Sequence, residues 1–105
     1  MKPAIRSEQA EQDIQHALDY HLGVSTQTAS RFLDALEQAA AHIQTHPGSG
    51  SPRYAHELAI PQLRFWLLHG FPYALFYIEH HDHLDVIRLP HLQQDIPESL
   101  RANGP

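Results

Sequence analysis

Residues 79–83 (EHHDH) place three imidazoles and two carboxylates side by side, and both groups are ordinary ligands of zinc and nickel. Neighbouring residues of a β-strand point to opposite faces, so a continuous run does not bring its side chains together. No second group of ligand residues stands at a fixed spacing from this run to complete a site. We therefore interpret it as the solvated tip of a β-hairpin and expect neither a metal site nor a cofactor.

Two other groups of residues carry side chains suited to catalysis. Residues 48–53 (GSGSPR) are similar to a phosphate-binding loop, but they lack its Gly-Lys-Ser/Thr ending and follow a predicted helix instead of a strand. Acid–base and phosphate-binding groups for RNA cleavage would come from Arg64, Tyr73, Tyr77, Arg88 and His91. Aromatic and long basic side chains on strands more commonly pack against the sheet or cover it. We therefore predict a flexible turn at 48–53 and no catalytic residues.

Apolar residues at helical spacing predict two helices in the first half of the chain. Ser7 is a good N-cap for the first helix, and Gly23 is expected to terminate it. The second helix begins at Ser25 or Thr26 and runs for about twenty residues, until residues 46–48 (HPG) end it. So short a link between two helices predicts an antiparallel helical hairpin.

The pattern changes after a loop rich in Gly, Ser and Pro at residues 47–61. Branched and aromatic residues broken by turn signals predict three antiparallel strands, at 63–69, 73–79 and 84–89. Residues 3–6 predict a short edge strand, and 91–101 a brief C-terminal helix that Asp95 caps. The predicted fold class is α+β: a helical hairpin packed on a small antiparallel sheet, in the order β-α-α-β-β-β with a short C-terminal helix.

The length and composition of the chain bound its class. A chain of 105 residues fits one domain spanning residues 1–105. Cysteine is absent, which excludes disulfides and thiolate metal sites. The first residues lack the apolar run of a signal peptide, and the longest apolar stretch, 71–78, is too short to span a bilayer. We expect a cytoplasmic protein without a membrane association.

The balance of charges argues against a nucleic-acid binder. Seven basic residues face twelve acidic ones, which gives a net charge of −5, and Lys2 is the one lysine. The basic residues are scattered along the chain and form no cluster. A protein that grips nucleic acid needs cations for the phosphates, so we expect no direct binding to DNA or RNA.

The strand predicted at 73–79 is apolar on both sides, although two helices can cover only one face of a single sheet. Two interpretations follow: either the C-terminal tail covers the second face, or a partner protein does. The second interpretation makes the apolar side chains of the sheet a binding surface, formed by Trp66, Leu67, Tyr73, Leu75 and Tyr77.

Several segments resemble the RelE/ParE superfamily of toxins. Residues 31–37 (RFLDALE) and 43–47 (IQTHP) are similar to its second-helix segment, and its strands resemble 60–64 (IPQLR), 71–73 (FPY), 76–77 (FY) and 84–88 (LDVIR). Residues 91–97 (HLQQDIP) are similar to the ParE pattern of His, two variable residues, Arg and Asp-Ile-Pro. The resemblance runs from about residue 7 to residue 100. Gln94 stands where many relatives carry arginine, and Pro90 is inserted before the histidine.

The resemblance implies a toxin that is encoded beside its antitoxin and neutralised by direct binding in a hetero-oligomeric complex. ParE-type members poison DNA gyrase and have no catalytic role, whereas RelE-type members cut mRNA in the ribosome with the help of basic residues. The acidic charge favours the ParE branch, because an RNase working among ribosomal RNA needs a cationic surface. A RelE-like endoribonuclease and an inactive antitoxin-binding module remain as alternatives.

Two sets of contact residues follow from the resemblance. The last strand and the tail are ParE-like in pattern yet too polar for a core, so we expect gyrase to contact Arg88, His91, Asp95, Ile96 and Pro97. Antitoxins of this superfamily wrap a segment around the toxin, and we expect that segment to cover the apolar surface from Trp66 to Tyr77 defined above.

Overall fold

The first half of the chain forms the predicted helical hairpin. In the computed structural model, which describes residues 1–101, α1 spans Glu8–Val24 and α2 spans Thr26–Thr45. Ser7 Oγ accepts a hydrogen bond from the Ala10 amide at 3.0 Å and caps α1. Ser25 Oγ accepts from the Thr28 amide at 3.0 Å and caps α2.

The predicted role of Gly23 is wrong. This glycine lies inside the last turn of α1 and has no positive φ. The chain reverses at Ser25, whose extended backbone (φ −170°, ψ 156°) ends α1 and starts α2. One serine therefore provides both boundaries, and no left-handed glycine is needed.

The sheet has four strands in the order β1-β4-β3-β2. They are β1 at Ala4–Arg6, β2 at Leu63–Leu67, β3 at Ala74–Glu79 and β4 at Leu84–Arg88. The three later strands pair antiparallel, as predicted. The edge strand predicted at 3–6 is also present, and it pairs parallel to β4, which makes the whole sheet mixed. A parallel pair needs a long connection, and the two helices and two strands between β1 and β4 supply it.

The loop predicted after α2 is partly ordered into turns, and the predicted C-terminal helix is present. A short 3₁₀ helix spans Pro47–Ser49, and α3 spans Ile96–Arg101. The Asp95 carboxylate accepts a hydrogen bond from the Glu98 amide at 3.1 Å, as expected of an N-cap.

The chain covers both faces of its own sheet. The first core lies between the sheet and the helical hairpin and contains large buried residues such as Phe32, Ile43 and Tyr77. The second core lies on the opposite face, where α3 and residues 54–60 pack on Leu63 and Phe76. Of the two interpretations of the doubly apolar strand, the covering tail is therefore confirmed. Among residues 1–101, none of the helices is long and apolar enough to cross a membrane.

Candidate protein-binding surfaces

Arg88, a predicted target contact, joins three elements of the fold. Its Nε and Nη2 donate to the two carboxylate oxygens of Asp13 on α1, at 2.7 and 3.2 Å, and its Nη1 donates to the Ser99 carbonyl on α3 at 2.7 Å. Both side chains of the ion pair are largely buried, at 14% and 18% exposure. The same carboxylate accepts from the Leu89 amide at 2.9 Å. A bidentate pair in this setting fixes β4 against α1, so Arg88 positions the segment that follows it.

The four other predicted target contacts lie on the segment that connects β4 to α3 and enters that helix. Ile96 is buried in the second core, and Pro97 is half-buried. Asp95 is exposed and caps α3. The half-buried His91 ring packs edge-on against Tyr73 with centroids 5.1 Å apart, and its Nδ1 accepts from the Gln93 amide at 3.0 Å. The surface of this segment, which we call the tail segment (residues 91–97), is therefore carried mainly by its polar side chains.

Two open grooves flank the tail segment. One, with a volume of about 590 Å³, runs beside α3 and is lined by Arg53, Tyr54, Glu57, Leu92, Gln94, Asp95, Ile96, Pro97, Glu98 and Arg101. The other, of about 220 Å³, lies against α1 and includes His16, Tyr20 and His91 in its lining. Gln94 lines both grooves. The structure thus brings four of the five predicted target contacts to one side of the molecule, with Arg88 behind them.

Gln94 makes a bond that an arginine could not make. Its Oε1 accepts a hydrogen bond from the His91 amide at 3.0 Å, while the Gln94 amide donates to the His91 carbonyl at 3.0 Å. Arginine has no acceptor atom. The departure from the family pattern at this position therefore closes the turn at the start of the tail segment.

A buried histidine near the second groove was not predicted from the sequence. His21 packs among the rings of Phe32, Phe71 and Tyr73, and its Nε2 lies 3.3 Å from the Tyr73 hydroxyl. Burial, followed by the charge of His91, lowers the pKa of His21, while burial raises the pKa of Tyr73. The signal was present, because His21 continues the helical spacing of the buried residues Ala10, Ile14 and Ala17.

Three of the five residues expected to bind the antitoxin are in the core, which corrects that expectation. Tyr73, Leu75 and Tyr77 lie under the helices with 7%, 1% and 0% exposure. Tyr77 is also fixed by its hydroxyl, which donates to the Pro47 carbonyl at 2.6 Å and accepts from the Gly50 amide at 3.1 Å. The physical reason is that β3 lies inside the sheet and both of its faces are covered by the same chain.

The other two residues, Trp66 and Leu67, lie at the sheet edge formed by β2. Leu67 is 50% exposed, and the half-buried Trp66 stacks on His42 with centroids 3.9 Å apart. With Ser49, Ser51 and Phe65 they line an apolar cavity of about 390 Å³, which we call the β2 edge patch. The backbone of Ser51 already pairs with Phe65 through two hydrogen bonds of 2.9 and 3.0 Å. The patch therefore offers apolar side chains beside a partly paired edge.

The five residues weighed for RNA cleavage have other tasks in the fold. Arg64 donates to the Gly50 carbonyl at 2.7 Å, Arg88 is paired with Asp13, and both tyrosines are buried. His91 touches Tyr73, but the tyrosine hydroxyl faces His21 in the interior. Tyr73 and His91 line the groove against α1, and the other three residues hold parts of the fold together.

The hairpin tip departs from the sequence expectation in one respect. His80, His83 and Asp85 offer ligand atoms that all lie within 4.8 Å of one another. Within the run 79–83, His80 and His83 converge across the turn, contrary to the expectation, and Asp85, which lies outside that run, completes the group of three.

Comparison with known proteins identifies the fold and the family. A solved structure described as the chromosomal ParDE TA system from P. aeruginosa superposes with a TM-score of 0.71 at 14% sequence identity, covering 89% of this chain and 98% of that chain. No curated protein is significantly similar to the chain in sequence. The family model for the ParE toxin of the type II toxin–antitoxin system parDE matches residues 4–96, from β1 to the start of α3. The chain therefore belongs to the ParE toxin family of type II toxin–antitoxin systems.

Proposed function

We propose that this protein acts in the cytoplasm as the toxin of a type II toxin–antitoxin module, poisons DNA gyrase without catalysis of its own, and is neutralised by a cognate antitoxin in a hetero-oligomeric complex. The observation that carries the proposal is the family match over residues 4–96. The superposed structure from P. aeruginosa is that of a ParDE toxin–antitoxin system, which supports an antitoxin partner here. The net charge of −5 favours a protein target over RNA.

The tail segment is the proposed gyrase contact. Asp95, Pro97 and His91 supply its surface, while Arg88 and Ile96 hold it from behind. The large groove beside it is lined by side chains of both signs, Arg53 and Arg101 against acidic neighbours, and such a mixed lining suits a polar protein surface. Association would be governed by these polar contacts and by the exposed Leu92.

The β2 edge patch is the proposed start of the antitoxin interface. Leu67 and Trp66 offer apolar area at an outer strand, where an extended or helical segment of another chain can lie. The buried residues Tyr73, Leu75 and Tyr77 support this surface from inside without touching the partner.

Purified protein tests the function directly. It is incubated with gyrase and supercoiled or relaxed DNA, and in a second reaction with translating ribosomes and message, each with and without the antitoxin encoded beside it. We expect gyrase-dependent cleaved DNA that the antitoxin suppresses, with no new 5′ ends in the message. Codon-linked mRNA cleavage that His91→Ala abolishes would establish the RelE-like alternative, and antitoxin binding without either activity would establish the inactive module.

A further inference from the structure

The β3–β4 hairpin places three ligand side chains on one face of its tip. The register pairs Ile78 with Asp85, and the His80 amide donates to the His83 carbonyl at 2.8 Å, which closes the turn. His80 and His83 are therefore directly opposite each other, and Asp85, two residues beyond His83, points the same way. Side chains from two paired strands thus converge on one face because the register of the strands aligns them. The sequence of residues 79–83 does not show this register.

The contacts within this group are short and mutual. His80 Nε2 lies 2.8 Å from one oxygen of Asp85, and His83 Nε2 lies 3.3 Å from the other. The two imidazoles stack with centroids 4.7 Å apart and planes inclined by 17°. On the far side of the ring, His83 Nδ1 lies 2.7 Å from Asp82 Oδ1.

When a neutral His83 ring donates its single N–H from Nδ1 to Asp82, its Nε2 lone pair faces the Asp85 carboxylate, and a cation between them would be bound by both. A carboxylate on the other ring nitrogen is the usual support of a metal-bound histidine.

We propose that His80 Nε2, His83 Nε2 and the Asp85 carboxylate bind a divalent transition-metal ion of the Zn²⁺ class, with Asp82 orienting His83. Imidazole and carboxylate together suit such an ion, and with three protein ligands water completes the coordination. The three side chains are partly exposed, at 42%, 29% and 42%, so an ion can reach them. This site is independent of the proposed toxin activity.

The surroundings favour a preformed site. Lys2, the neighbouring cation, donates to Glu79 at 2.7 Å and to the His80 carbonyl at 2.8 Å, so its charge is already balanced. The same two bonds hold the N-terminus against the hairpin tip. A bound ion would join the two strands where the hairpin is open to solvent, and we expect it to stabilise the folded chain by mass action.

Zn²⁺ titration of untagged protein by calorimetry tests the proposal, with Co²⁺ absorption as a report of coordination geometry. We expect one site, and a loss of Zn²⁺ affinity of roughly ten-fold or more in His83→Gln and Asp85→Asn. Asp82→Asn should weaken binding by roughly 10–100-fold, the range found for supporting carboxylates. His81→Gln and His56→Gln are matched controls, because both exposed imidazoles lie outside the group and should leave the affinity unchanged.

Thermal unfolding with and without Zn²⁺ is the second measurement. The melting temperature of the wild type should rise with Zn²⁺, and the rise should disappear in His83→Gln, whose fold is checked by circular dichroism. The proposal is overturned if Zn²⁺ binds only more weakly than about 1 mM, or if His81→Gln weakens binding as much as His83→Gln does. Equal Zn²⁺ affinity in the wild type and in Asp85→Asn would also overturn the proposal, because the three side chains would then form ion pairs and no metal site.

Discussion

At the scale of single residues, the buried polar side chains explain how this small chain holds its loops and its helix ends in place. Tyr77 and Arg88 each join elements that are distant in sequence, and both form hydrogen bonds with backbone groups, among them the buried Gly50 amide. In the sequence these two residues looked suited to RNA cleavage, but in the structure they hold parts of the fold together. His21 belongs to the same class, and its burial makes stability depend on pH.

We expect acidification to destabilise the protein through His21. Its folded pKa is lowered below the ordinary 6.5, so the unfolded chain binds the proton first as the pH falls. The stability is complete above pH 6.5 and is lost as the pH decreases from there towards the folded pKa. Urea unfolding at about pH 7.5 and 5.5 should show a larger loss in the wild type than in His21→Gln.

His56→Gln is the control for the loss of one histidine as such, because the His56 side chain is exposed and packs in neither core. His83, whose pKa is raised chiefly by its hydrogen bond to Asp82, acts in the opposite sense, because its contribution is present at low pH and fades as the pH rises. A wild type and a His21→Gln variant that respond equally to pH would show that His21 does not control the acid sensitivity.

At the scale of elements, the loop after α2 is fixed to the sheet at one glycine. Gly50 donates to the Tyr77 hydroxyl, and its carbonyl accepts from Arg64 at 2.7 Å. A Cβ at this position would collide with the Tyr77 ring and lie 3.0 Å from the Phe65 carbonyl. Glycine is required here because the Tyr77 ring and the Phe65 carbonyl approach the backbone closely. The φ angle of Gly50 is not positive and does not require glycine.

We therefore expect Gly50→Ala to destabilise the fold by about 1–3 kcal/mol, the usual cost of overpacking a close contact. Gly48→Ala is the matched control, because a Cβ there meets nothing within 4 Å. Denaturant unfolding of both variants measures the difference. Equal stabilities would mean that the loop moves away from Tyr77 at little cost and does not need its close contact.

The C-terminal helix combines a structural and a proposed functional role. Ile96 is buried in the second core and Leu100 packs against it, so removing α3 would uncover the sheet as well as the tail segment. Deleting α3 would therefore not distinguish loss of the fold from loss of the gyrase contact. Single substitutions of exposed residues are the better test.

Asp95 offers such a test, because its capping and its charge can be separated. Asp95→Asn keeps the side-chain oxygen that accepts from Glu98, whereas Asp95→Ala removes it and should cost about 1 kcal/mol. We expect Asp95→Asn to retain stability and to poison gyrase less, measured as cleaved DNA at equal protein concentration. Full potency of Asp95→Asn would remove this carboxylate charge from the proposed contact.

At the scale of the whole molecule, the two proposed binding surfaces lie at different places on this acidic chain. The tail segment follows β4, which pairs with one side of β3, while the β2 edge patch belongs to the strand on the other side of β3. The two surfaces share no lining residues. Single substitutions should therefore affect one partner and spare the other.

We expect Leu67→Lys to weaken antitoxin binding roughly ten-fold or more, because an ammonium group would be desolvated in an apolar interface. The same variant should still poison gyrase. His91→Ala should bind the antitoxin normally but poison gyrase less. Calorimetry with the antitoxin and the gyrase cleavage assay, run on both variants, provide the comparison. Tight antitoxin binding by Leu67→Lys would place that interface away from the β2 edge patch.

The sequence alone was sufficient for the elements whose signals are local. Serine caps, helical spacing and strands between turn residues depend on neighbours a few positions away, and the two helices, three antiparallel strands and capped C-terminal helix are present as predicted. The family resemblance was likewise readable, because it depends on the order of short segments.

Only the tertiary structure decided which residues remain available for function. Whether α3 covers the second face, whether Arg88 meets Asp13, and whether Asp85 joins His80 and His83 all depend on contacts between elements that are distant in sequence or on opposite strands. An apolar or charged side chain looks the same in the sequence whether a neighbour buries it or solvent surrounds it. Packing makes that choice, because the free energy of burying a side chain depends on which partner atoms surround it.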